Sequence, residues 1–229
     1  MPHRAILFDV GGPLDLEFAW EIAVDSAIAA ACSLEGIRLD QAAIEAASDR
    51  AVEAFASDAY AHMIETLTAG DPATIARVRQ RVRTITGSLD LFQLRPEIDG
   101  LLRRLAERGL KLGIVANQPE AVVPRLERAG IAKFFAYTSI TGTTGLRKPD
   151  PRAFTSAAEG LRFAPADCIM VGDRIDNDIA PAKALGMTAI LFRSGRHRKQ
   201  RARRAAEQPD AIVTDVAELE SALVALLSN

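Results

Sequence analysis

Short apolar runs alternate along this chain with segments of helical period, and that alternation narrows the fold more than any other feature. AILF (5–8), LKLGIV (110–115), CIMV (168–171) and TAILF (188–192) read as buried strands, with AIV (211–213) a weaker candidate. Between them, Ile98, Leu101, Leu102 and Leu105 share one helix face, with Pro96 expected in the first turn. Val122, Leu126 and Ala129 mark another helix, closed by Gly130, and Ala182 and Leu185 a third, closed by Gly186. Val216, Leu219, Leu223 and Leu226 mark the last. Strands separated by helices pair in parallel through right-handed crossovers, so the pattern predicts a doubly wound α/β sheet.

One crossover is far too long for a single helix. After Asp15 the next strand run begins near residue 110. The interval is Ala-rich and helical in period: a first helix is expected over about 17–34, Ile44, Ala47, Ala51 and Phe55 form one stripe, and Ile75, Val78, Val82 and Ile85 another. Asp71-Pro72 has the form of an N-cap followed by a first-turn proline. We therefore expect residues 16–90 to be an inserted helical bundle, with 1–15 and 91–229 forming the α/β core.

Composition limits the partners. The 229 residues are 48% apolar and 25% charged with a net charge of -2, which provides no global field for nucleic acid or an anionic membrane. No apolar stretch approaches the ~20 residues of a membrane span. The opening MPHRAILFD has no apolar segment of export-signal length before its first acid, so a cytoplasmic protein is expected. In that setting Cys32 and Cys168 are expected to be reduced and structural. The one charge run, RSGRHRKQRARRAAEQ (193–208), is read as a solvated segment; an anion-gathering rim is the sharper alternative.

In open α/β sheets ligands bind beyond the carboxyl ends of the strands. Asp9 follows the first strand, and Ala116, Asn117 and Gln118 follow the second. Arg147, Lys148 and Pro149 lie in a loop between LKLGIV and CIMV, and GDRIDND, with Asp173, Asp176, Asn177 and Asp178, follows CIMV. Carboxylates and a lysine would thus converge from distant segments. Crowded carboxylates repel unless a cation sits among them, and an all-oxygen donor set suits Mg²⁺. Lys148 adds positive charge suited to a phosphoryl group, and a carboxylate can serve as a covalent nucleophile toward phosphorus.

FDVGGPLD, GIVANQ, GLRKPDPRAF and IMVGDRIDNDIAPAKALGM occur in an order and at spacings that resemble the haloacid dehalogenase-like (HAD) hydrolase superfamily over nearly the whole chain. The resemblance implies that residues 16–90 are the family's substrate-selecting cap. It implies that Asp9 is the nucleophile and a Mg²⁺ ligand, with the Gly11 carbonyl and Asp173 as further ligands. Asp178 would hold metal-bound water or orient Lys148, and Lys148 would pair with Asp9 and the phosphate; the Asn117 amide is expected either to face the phosphate or to serve only as a left-handed turn residue. Asp15 is expected at the cap hinge, Trp20 in the cap's core, Asp176 in solvent and Arg147 on the surface.

Two positions depart from the family pattern. Gly11 stands where most phosphatases of the family have an Asp that protonates the leaving group, a role typically worth about 10²–10⁴-fold, or roughly 3–5 kcal/mol. Ala116 stands where a Ser or Thr hydroxyl would donate to the phosphoryl group. The expectation is a Mg²⁺-dependent phosphatase, weakened at these two positions, acting on a small phosphorylated metabolite, as a monomer or homodimer. The family's dehalogenases also lack the second Asp, but they use no metal. A catalytically degenerate binding protein is the third possibility.

Overall fold

A computed structural model describes residues 3–228. In chain order it contains β1 (Ala5–Phe8), α1 (Phe18–Ser33), α2 (Gln41–Glu53), α3 (Ala59–Leu67), α4 (Pro72–Thr86), α5 (Ile98–Glu107), β2 (Lys111–Ala116) and α6 (Val122–Arg128). These are followed by β3 (Phe135–Ile140), α7 (Thr141–Thr144), α8 (Pro151–Gly160), β4 (Cys168–Gly172), α9 (Ala180–Ala184), β5 (Thr188–Phe192), β6 (Ala211–Val213) and α10 (Val216–Leu227). The chain divides into two compact units, one of residues up to Leu16 together with those from Gln93 onward, the other Glu17–Phe92.

The first unit is a six-stranded sheet ordered β3-β2-β1-β4-β5-β6, parallel at every pairing. The expected doubly wound α/β sheet is present. β1 and β4 are buried at every position, as central parallel strands covered on both faces must be. β3 has no continuous apolar run because it is an edge strand whose first four residues alternate between half-buried and exposed. Helix α5 begins at Ile98 after Glu97 in the left-handed region (φ 68), so Pro96 lies ahead of the helix rather than in its first turn. Gly130 and Gly186, at φ +72 and +79, turn the chain after α6 and α9 in a conformation that side chains resist.

The second unit packs α1–α4 around Val24, Ile28, Ala47, Met63, Val78 and their neighbours. Asp40, Asp58 and Asp71 each accept an N–H from three residues on, capping α2, α3 and α4. Trp20 packs against this core, as expected. Two stripe positions do not belong to it. Phe55 falls beyond the end of α2 at φ 52 and is only half-buried, and Ile85 is 43% exposed on α4. Thr86 takes the inward position, its hydroxyl donating to Val82 O at 2.9 Å, so helical period alone overstated the apolar face. Both cysteines are free and buried, and among the described residues no helix is long and apolar enough to cross a membrane.

Candidate active site

The sheet delivers Asp9 to its carboxyl edge. The Asp9 N–H donates to Val171 O at 2.8 Å, adding one rung to the β1–β4 pairing, and Val10 N–H donates to Asp9 Oδ1 at 2.7 Å. The chain then folds back on itself: Leu14 and Asp15 both donate N–H to Val10 O. Asp15 Oδ1 accepts the Gln93 N–H (2.9 Å), while Leu16 N–H donates to Gln93 O and Arg95 N–H to Leu14 O. Asp15 therefore zips the outgoing chain to the returning one.

Beyond β4 the chain makes a π-helical turn, Ile175–Ile179, a widened turn that recurs at functional sites. The turn carries Asp178 inward until it is fully buried. Asp178 Oδ2 accepts the Arg174 N–H (3.0 Å), and Oδ1 accepts Lys148 Nζ (2.5 Å). Lys148, 2% exposed, also reaches Asp9 Oδ2 at 2.9 Å. Ligand oxygens of Asp9, Asp173 and Asp178 all lie within 4.8 Å of one another.

Two glycines make this approach possible. A Cβ on Gly172 would lie 2.4 Å from Asp178 Cβ, and one on Gly12, already at φ +81, would lie 2.8 Å from Asp173 Cβ. Electrostatics follow from burial. The Asp9 carboxyl is pushed up to about 6, first by loss of water and also by Asp178, against the pull of Lys148. Burial works against the Lys148 charge, yet Asp178 and Asp9 hold its ammonium above the ordinary lysine value.

The remaining expected residues fall in varied places. Asn117 Oδ1 accepts the Lys148 N–H (2.8 Å) and its Nδ2 donates to Lys148 O (2.9 Å). The amide expected to face a phosphate thus clamps the lysine's main chain. Asp176 is not left to solvent: it pairs with Arg174 at 2.6 Å and accepts Gln200 Nε2 at 2.9 Å. Arg147 is exposed, and Ala116 is buried at the end of β2. Gly11 pairs in an isolated bridge with Asp15.

The basic run 193–208 is only partly solvated. Gln200 (2% exposed) and Glu207 (1%) are buried, Glu207 accepting Arg203 and Arg204. Two residues the sequence did not mark reach the site loops. Arg95 Nε donates to Gly12 O (2.7 Å) and Nη2 to Ser194 Oγ (2.6 Å), its guanidinium 4.5 Å above the Phe192 ring. Gln200 Oε1 accepts the Ile175 N–H at 2.6 Å. A neutral amide within a basic run was the only signal for Gln200; nothing in sequence signalled Arg95.

The chain is similar to known proteins. The family model for haloacid dehalogenase-like hydrolases matches residues 3–186. The chain is 34% identical over 116 residues to a glyceraldehyde 3-phosphate phosphatase of Methanopyrus kandleri, half of each chain. It is 34% identical over 105 residues to a phosphoserine phosphatase of Thermus thermophilus, 45% of this chain and 42% of that one. The match thus spans about half the length or less of these curated relatives. A solved structure from Haemophilus somnus, described as a predicted phosphoglycolate phosphatase, superposes with a TM-score of 0.72 at 19% identity, covering 96% of this chain and 97% of that one.

Proposed function

Because this chain belongs to the haloacid dehalogenase-like hydrolases, we propose that it is a Mg²⁺-dependent phosphatase of small phosphorylated metabolites, with Asp9 as its covalent nucleophile. The observation that carries the reading is the buried cluster of Asp9, Asp173 and Asp178 around the single Lys148 ammonium. Three buried carboxylates and one lysine leave an excess of negative charge where desolvation is most costly, and an all-oxygen donor set selects a hard cation. Asp9, Asp173 and the Gly11 carbonyl would hold Mg²⁺, with Asp178 supporting. When bound, the ion would neutralise phosphoryl oxygens. The same cluster weighs against metal-free haloacid chemistry.

In the first half-reaction an Asp9 carboxylate oxygen bonds to phosphorus as the bond to the leaving oxygen breaks, and that oxygen departs with the electron pair. Lys148, fixed by Asp178 and by the Asn117 clamp on its main chain, holds its charge beside Asp9 and the phosphoryl group. Water then releases phosphate from the aspartyl-phosphate. No side chain at Gly11 can protonate the leaving oxygen, so good leaving groups are favoured. Aryl and acyl phosphates should turn over measurably while alkyl phosphates lag. The helical unit Glu17–Phe92 serves in this reading as the substrate-selecting cap, and free buried cysteines accord with a cytoplasmic setting.

A screen of aryl, acyl and alkyl phosphates and 2-haloacids, with and without Mg²⁺, tests this on the wild type and Asp9→Asn. Mg²⁺-dependent phosphate release that falls to background in the variant is expected. Halide release without metal points to dehalogenation, and Mg²⁺ binding with no turnover to a degenerate binding protein.

A further inference from the structure

We infer that the segment from Ser194 to Gln200 is a clasp that positions both acidic loops of the site, Ser194 acting through Arg95 and Gln200 directly. The segment leaves the end of β5, next to β4 in the sheet, and so starts beside both loops. At one end, Ser194 Oγ accepts Arg95 Nη2, and Arg95 Nε holds Gly12 O. That carbonyl belongs to the turn between Asp9 and Asp15, where Gly12 packs against Asp173 with no room for a Cβ. At the other end, Gln200 Oε1 accepts the first N–H of the π-helical turn, at Ile175, and Nε2 donates to Asp176 Oδ1. That turn carries Asp178.

The clasp is stiff between its ends. Gln200 N–H donates to His197 O (2.8 Å), Arg198 Nη1 to Gly195 O (3.0 Å), and Arg193 Nη1 reaches the carbonyls of Arg198 and Gln200. Gln200 is nine-tenths buried or more, so its two bonds are made out of water and each lost partner would leave a buried polar group unmatched. A neutral amide suits the place: it accepts from Ile175 and donates to Asp176 at once, which no charged neighbour in the run can do. Groups that orient metal ligands from behind typically contribute about 10–100-fold to metal affinity or activity. Gln200, Arg95 and Ser194 are positioning residues in this sense.

The inference rests on the metal-dependent reading for its binding readout and on the fold alone for its exchange readout. Gln200→Met, which keeps the side-chain volume, and Ser194→Ala are compared with wild type and with Arg201→Ala, an exposed charge of the same run. Three measurements are made on the full chain: Mg²⁺ titration calorimetry, amide hydrogen exchange and thermal melting. Gln200→Met should weaken Mg²⁺ binding about tenfold or more and speed exchange across 174–179. Ser194→Ala should speed exchange across 11–15, and Arg201→Ala should change neither. Unchanged exchange in both clasp variants overturns the proposal, as does equal weakening by Arg201→Ala, which would make the run a diffuse charge. Normal Mg²⁺ affinity in Gln200→Met with only a lowered melting temperature also overturns it. Wild type that binds no Mg²⁺ while exchange responds as expected would overturn the metal-dependent reading and leave the clasp standing.

Discussion

The two halves of the site are built to different standards. The half made by Lys148, Asp173, Asp178 and the clamp of Asn117 is saturated: Lys148 has two carboxylate partners, its main chain is held at both ends, and glycine is required where Asp178 packs. The half that, in the proposed reading, faces the phosphoryl and leaving groups is bare, with hydrogen in place of a side chain at Gly11 and a methyl at Ala116. Charge neutralisation and proton supply are therefore separable here, although both are needed for a poor leaving group. The saturated half cannot be loosened without leaving buried charge uncompensated, whereas the bare half can lose groups at little structural cost.

The comparison breaks first at Lys148. Lys148→Met should destabilise the fold by about 3–5 kcal/mol in denaturant melts, because two carboxylates stay buried without their cation. It should also abolish phosphate release. A variant as stable as wild type would mean the saturated half is less tightly coupled than its distances suggest.

Gly11→Asp tests the bare half. Among the described residues the positive-φ glycine of this loop is Gly12, so Gly11 needs no conformation that a side chain resists. The substitution should speed alkyl phosphate hydrolysis by about 10²–10⁴-fold and aryl phosphate hydrolysis much less, read as kcat/KM on matched substrates. Equal gains on both would show that proton supply is not what the bare half lacks.

Acidity probes the saturated half. The Asp9 carboxyl stands near 6 in the folded chain, above its ordinary value of 3.8. Between those values the metal-free folded chain binds more protons than the unfolded one, so this contribution to stability is present below about 4 and lost as pH rises through 6. The stability of wild type relative to Asp9→Asn in metal-free urea melts should therefore fall with rising pH by on the order of 3 kcal/mol. Mg²⁺ should flatten this dependence. A relative stability that rises with pH would reverse the assigned cause.

The smallest effect is expected at Ala116. Ala116→Ser restores one hydroxyl donor, worth about 0.5–1.5 kcal/mol, and should lower KM for aryl phosphates by no more than about tenfold.

Most of the strands and the acids that follow them were legible, because buried parallel strands write themselves as apolar runs and their loops follow at once. β3 was not, since an edge strand half in water alternates and mixes with its loop. The two stripes that end in Phe55 and Ile85 each run one residue too far, because helical period records spacing and not where a helix ends or which turn faces inward. Asn117 was marked but for another partner: its amide serves the Lys148 main chain, 31 residues on.

By itself the sequence determined the class of fold, the family, the acids, the lysine and the gap at Gly11, since each depends on residue type at short range. Only the tertiary structure decided what holds those groups. Arg95 meets Gly12 across 83 residues, Ser194 meets Arg95 across 99, and Gln200 meets Ile175 across 25. Such contacts have no period and no local spacing. They exist because the sheet brings distant loops to one edge, where every buried donor and acceptor must find a partner.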